Sequence, residues 1–162
     1  MTNFKSELDR LRIHIPLWAI EIVERQYQLE PAFLKYGYKG KLQSIEDAKN
    51  NLDYLFSSIE VDSKALFLEY NIWVDNLFKN LNLPTKILED FYTCLLDLLK
   101  REKANIDITD ELFREFESYI GIALNKNLQT SKLKIAFDTQ ENPFENLLEK
   151  YKKQYFLMID QE

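Results

Sequence analysis

Few side chains in this sequence could do chemistry, and those few narrow the choices quickly. His14 is the only histidine and Cys94 the only cysteine. A metal-ligating pair of histidines, a cysteine cluster or a Glu-x-x-His pair of the di-iron kind is therefore unavailable. No glycine-rich loop could cradle a phosphate. Cys94 lies among Leu95, Leu96 and Leu98 and reads as a buried, inert thiol. One histidine on a helix can hold a haem, but His14 stands two residues before Pro16, at an expected helix break. Its plain reading is a surface or local hydrogen-bonding residue. Carboxylates are abundant, yet paired-carboxylate catalysis needs two acids that converge with separated pKa values. Glu89, Asp90 and Asp97 fall on polar faces, so a solvated surface is the simpler account. No catalytic residue, metal ligand or cofactor is assigned.

One constellation stands out. Asp47, Asn51, Tyr54 and Ser58 follow i, i+4, i+7, i+11 spacing. On a helix this forms a polar-aromatic stripe directed away from Leu52, Leu55 and Phe56. A tyrosine within such a stripe offers a ring face and a hydroxyl, which suits a pocket lining or a protein contact. Tyr36, Tyr38, Tyr70 and Trp73 could join it. The plain alternative makes Asp47 a helix-capping partner, Asn51 a loop contact and Tyr54 an edge of the core. The candidate ligand- or partner-binding set is Tyr36, Asp47, Asn51, Tyr54, Tyr70 and Trp73.

The elements that must position these residues are helical. Apolar residues recur at helical spacing almost throughout. Phe4, Leu8, Leu11 and Ile15 form a first stripe. Pro16 suits the first turn of a second helix carrying Trp18, Ile22 and Leu29, which Glu30-Pro31 ends. Residues 32–43 read as a short helix and a loop. Ser44 and Asp47 approximate a capping box opening the next helix, with Ile45, Ala48, Leu52, Leu55, Phe56 and Ile59 inward. Ser63 caps a helix whose stripe runs from Leu66 to Leu81, and Leu83-Pro84 ends it. Further helices are expected over about residues 85–103, after Thr109, and from Pro143 with Phe144, Leu147, Leu148, Tyr151, Tyr155, Met158 and Ile159 inward. Leu133, Ile135 and Phe137 alternate with period two, so residues 129–141 could be strand-like or irregular.

Several stretches together resemble a known family. Val23-Glu-Arg-Gln-Tyr27, Lys35-Tyr-Gly-Tyr-Lys-Gly40, Asp47-Ala-Lys-Asn-Asn-Leu-Asp-Tyr-Leu55, Leu66-Phe-Leu-Glu-Tyr-Asn-Ile-Trp73 and Asn82-Leu-Pro84 look like the helical region upstream of the cobalamin-binding module in some bacterial regulatory proteins. Asn142-Pro-Phe-Glu-Asn-Leu-Leu-Glu-Lys-Tyr151 is similar to the start of the next helix there. That family's pattern is a Tyr-Gly-x-x-Gly turn, an Asp followed four residues on by His, a Tyr-Leu, and a Leu-Phe-x-x-Tyr-x-x-Trp helix. Asn51 stands where the family often has His, and the Asp-x-His-x-x-Gly loop of the cobalamin module is absent. The resemblance implies a free-standing regulatory helical domain and does not imply cobalamin binding.

Bulk properties agree with one all-α domain over residues 1–162, an array of about six or seven helices, bundle-like or globin-like. At 162 residues the chain can bury a sizeable core, and 46% hydrophobic with 30% charged residues is an ordinary globular balance. Only 3 glycines and 4 prolines are too few for the tight turns of a β-sandwich. A net charge of −6 argues against a nucleic-acid partner. No apolar run approaches the roughly 18 residues that span a bilayer, so no membrane partner is expected and the default location is the cytoplasm. The expected function is a non-enzymatic regulatory or sensory domain that binds a protein partner, a second copy of itself or a small apolar ligand. A haem or tetrapyrrole sensor and a carboxylate-dependent enzyme are the alternatives.

Overall fold

The computed structural model describes residues 3–84 and 86–125, and these are helical with no strand among them. Six α-helices follow in order: α1 (Lys5–Leu11), α2 (Ile15–Leu29), α3 (Gly37–Glu60), α4 (Lys64–Asn80), α5 (Lys86–Glu102) and α6 (Asp110–Leu124). Five of them are long, slightly fewer than the six or seven expected. The helix expected from Pro143 and the passage 129–141 lie outside the described residues.

Several sequence signals act as expected. Pro16 occupies the first turn of α2, and Pro31 follows its end. Ser63 Oγ accepts from the Leu66 amide at 3.0 Å and opens α4. Thr109 Oγ1 accepts from the Leu112 amide at 3.2 Å and opens α6. The scarcity of glycine has a structural counterpart. Asp62 and Asn82 take positive φ (54° and 58°) just beyond α3 and α4, and Asp107 (55°) does so at the end of the turn after α5. A six-to-one backbone bond closes α3 and α4, Ser63 N–H to Ser58 O and Leu83 N–H to Phe78 O at 2.9 Å each, and the same bond, Ile108 N–H to Lys103 O at 3.0 Å, closes the turn that follows α5. Asp and Asn tolerate the left-handed region better than other side chains, so they serve here in place of glycine.

The region before Ser44 departs from expectation. A 3₁₀ segment, Pro31–Tyr36, runs directly into α3 with no loop between them. Gly37, with φ +69°, makes the change of direction in one residue. Ser44 therefore lies inside the helix and is not its cap. Its Oγ donates to Gly40 O at 3.0 Å, the usual fate of a mid-helix serine. Leu29 is 57% exposed at the end of α2.

The long helices close into a ring in the order α2, α3, α4, α6, α5 and back to α2. Aromatic side chains fill its centre. Phe56 meets Trp18 at 6.3 Å and Phe116 at 5.5 Å, while Phe67 meets Tyr92 and Tyr119 at 5.7 Å each. Each such buried ring contributes roughly 1.5–3 kcal/mol over an exposed one. α1 fastens the α5–α6 turn from outside. The Glu7 carboxylate accepts from Thr109 N–H and Oγ1 at 2.8 Å each, and Arg10 donates to Ile106 O and Asp107 O at 2.7 Å each.

Candidate functional site

α3 is the element on which the candidate residues turn. It is flanked by α2 on one side and α4 on another, so two of its faces are covered. The stripe of Asp47, Asn51, Tyr54 and Ser58 is therefore not solvent-facing. Asp47, Asn51 and Ser58 are buried and Tyr54 is half-buried. The apolar stripe meets the centre of the ring, and the polar one is enclosed beside it.

Near the middle of α3 the stripe meets α4 in a filled contact. The Tyr54 and Tyr70 rings stack at 3.9 Å, 11° from parallel, and Trp73 lies 6.4 Å from Tyr70. Tyr70 and Trp73 are fully buried. Tyr70 OH donates to Asn51 Oδ1 at 2.6 Å. Burial pushes the Tyr54 phenol above its usual pKa. The stack leaves no space for a ligand between its rings.

Toward the N-terminal end of α3 the packing opens. A cavity lies between α2, the 3₁₀ segment, α3, the end of α4 and the start of α5. Tyr36, Asp47 and Asn51 line it, so half of the expected set converges here and Asn51 joins the cavity to the stack. Tyr54, Tyr70 and Trp73 do not reach the cavity. Its volume of about 50 Å³ exceeds the roughly 10–15 Å³ that a single water needs. Gln26 and Tyr27 from α2, Phe33 from the 3₁₀ segment, and Phe78, Ile87 and Phe91 complete most of the wall.

The polar wall groups are held in place. Gln26 Nε2 donates to Ile87 O at 3.0 Å, tying α2 to the first turn of α5. Asp47 Oδ1 accepts from Gln43 Nε2 at 2.8 Å, one turn earlier on α3. Burial raises the Tyr27 phenol pKa, partly offset by its hydrogen bond with Ser44 and by the charge of Lys41. Of the wall residues that sequence reasoning passed over, Ser44 and Ala48 lie on α3 and the rest come from other parts of the chain. Gln26 carried a signal, since it is a polar residue set among the inward Ile22, Val23 and Tyr27 of α2. Phe78 and Phe91 carried none, because they look like any other core aromatic.

The arrangement limits the chemistry. Among the described residues Asp47 is the only carboxylate on the cavity wall, and a paired-carboxylate mechanism would need a second. His14 does not line the cavity; it stacks on Trp18 at 5.5 Å. Burial, partly offset by the charge of Arg25, raises the Cys94 pKa and favours the protonated thiol. Among the described residues no cluster of three or more His, Cys, Asp or Glu could hold a metal, and no helix is long and apolar enough to cross a membrane. Comparison with family models, with curated proteins and with solved structures gave no match.

Proposed function

We propose that this chain is a non-enzymatic sensory or regulatory helical domain that takes a small ligand in the cavity beside Asp47 and Asn51. The observation that carries the reading is the cavity wall: apolar rings for contact area, with a few held polar groups to fix orientation, which is the usual make-up of a ligand site. The Asn51–Tyr70 hydrogen bond supports a sensory role, because it links the wall to the buried stack between α3 and α4. The resemblance to a regulatory helical region points the same way. Asn51, which stands in place of that family's His, is one of the wall residues.

A thermal-shift screen against metabolite mixtures tests the reading, run on the natural chain and on Ala48→Leu. Ala48 is buried on the cavity wall, so the larger side chain would fill the space. A ligand at tens of its Kd stabilises the natural chain by about 2 kcal/mol. That shift is expected to disappear in Ala48→Leu. If no mixture shifts the natural chain, or if the variant shifts equally, the cavity is not a ligand site.

A protein partner or a second copy is the second reading. Ile13, Leu17 and Ile20, at 75%, 68% and 43% exposure, place an apolar stripe on the outer face of α2 and the turn before it. Sedimentation of the natural chain against Leu17→Lys tests it. A concentration-dependent dimer lost in the variant supports self-association, and a monomer at all concentrations removes it.

A further inference from the structure

We infer that residues 143–159 dock along the outer face of α4, on a seat formed by Leu68 and Ile72. This goes beyond the ligand-binding reading and does not depend on it.

α4 is covered on every side. Tyr70, Asn71, Ile72, Trp73 and Val74 are consecutive buried residues that go all the way round the helix. α2 and α6, by contrast, keep an exposed residue in every turn. Phe67 and Val74 belong to the buried cluster at the centre of the ring. Ile72 falls roughly 140–160° around the helix from them, with Leu68 one turn before it. Ile72 is 1% exposed and Leu68 9%, yet neither belongs to that central cluster. Both are withdrawn from solvent within a single chain, so the cover belongs to the chain itself. The described helices that flank α4 are α3 and α6, and the residues beyond Asn125 are the part that remains.

The chain leaves α6 beside this face. Glu111 and Glu115, early in α6, border the same hollow as Val61 and Asp62, at the turn before α4. Further along, the Tyr119 ring lies 5.7 Å from that of Phe67 and 6.0 Å from Lys64 Nζ. α6 therefore runs in the same direction as α4, and Asn125 comes out near its middle. Residues 126–142 reach up to ~50 Å when extended, enough to bring Pro143 to either end of α4. From there Phe144, Leu148, Tyr151, Tyr155 and Ile159 recur at helical spacing, with Glu149, Lys150 and Lys153 on the opposite side. A helix over residues 143–159 measures about 25 Å, which matches the 17 residues of α4. A tethered segment meets its seat at an effective concentration on the order of millimolar. The exposed stripe of Ile13, Leu17 and Ile20 is a poorer seat, because it lies on α2, which does not neighbour α6 in the ring.

Cross-linking of the natural chain with a short amine-reactive reagent tests the placement. Lys79 lies two turns beyond Ile72 on the same face, and Lys64 opens α4. Intrachain links from Lys150, Lys152 or Lys153 to Lys64 or Lys79 are expected in the monomer. Links to other lysines only, or links only between isotopically distinct chains in a mixed sample, overturn the inference. Hydrogen exchange gives a second readout. Leu148→Asp combined with Tyr151→Asp is expected to speed exchange in residues 64–80 about tenfold or more while leaving residues 15–29 unchanged. Unchanged exchange over residues 64–80 overturns the inference as well. If the double variant unfolds throughout, the cross-links of the natural chain decide.

Discussion

Asn51 connects two environments, accepting a buried hydrogen bond from Tyr70 on one side and lining the cavity on the other. The 2.6 Å bond joins residues 19 apart in sequence across two helices. Tyr70→Phe removes only the hydroxyl and leaves the ring stack in place. A buried hydrogen bond of this kind is worth about 1–2 kcal/mol, so the variant is expected to unfold at lower urea with an unchanged m-value. An unchanged midpoint would mean that Asn51 finds equivalent bonding elsewhere. Helical spacing alone picks out Asn51, Tyr54, Tyr70 and Trp73. It does not say which of them would be filled in and which would border space, because that depends on the angle and register at which α3 meets α4. Asp47 shows the same limit, since its role changes once the start of α3 moves from Ser44 back to Gly37.

At the scale of elements, Gly37 is the sharpest single feature. Its φ of +69° joins the 3₁₀ segment to α3 and sets Phe33 and Tyr36 against the cavity. A Cβ added there would meet nothing within 4 Å, so space is not the obstacle. The cost of Gly37→Ala is conformational, roughly 1–3 kcal/mol for a non-glycine residue held in that region. Chemical denaturation measures the loss, and ligand affinity should fall with it because two wall residues lose their anchor. A fully stable variant would show that the chain has another route through this corner. Capping residues made α4 and α6 legible in advance, and prolines marked the ends of α2 and α4. The 3₁₀ segment was hidden because Tyr-Gly-Tyr-Lys-Gly reads as a loop, and only the packed structure reveals that helix resumes at once.

The molecule as a whole carries a pH signature at the seam of α3, α4 and α6. Tyr119 is fully buried there, its OH donating to Ser58 O at 3.4 Å. Burial, with smaller contributions from Asp62 and Glu115, pushes its pKa up to about 12 from the ordinary value of 10.0. Below pH 10 the phenol is protonated in both folded and unfolded chains, so its contribution is constant. Above pH 10 the unfolded chain ionises first, and stability falls as pH rises through about 12. Urea midpoints taken from pH 8 to 11 are expected to stay level and then decline. Tyr119→Phe should reduce the decline, with Tyr27 and Tyr54, also raised by burial, accounting for the remainder. An identical decline in the variant would place the titration elsewhere. The all-helical class and the aromatic core were legible because periodicity survives any arrangement of helices. The closed ring was not, since helix neighbours are chosen by packing across long stretches of chain.

The Tyr54–Tyr70–Trp73 stack also has an optical consequence. Two phenol rings 3.9 Å apart and nearly parallel, with an indole 6.4 Å further on, are close enough for their electronic transitions to couple. Such coupling gives the folded chain a near-ultraviolet dichroism and an indole emission that depend on the spacing of the rings. Because Asn51 lines the cavity and accepts from the Tyr70 hydroxyl, a shift of Asn51 is expected to alter the spectrum, which gives the proposed ligand reading a probe that needs no added dye.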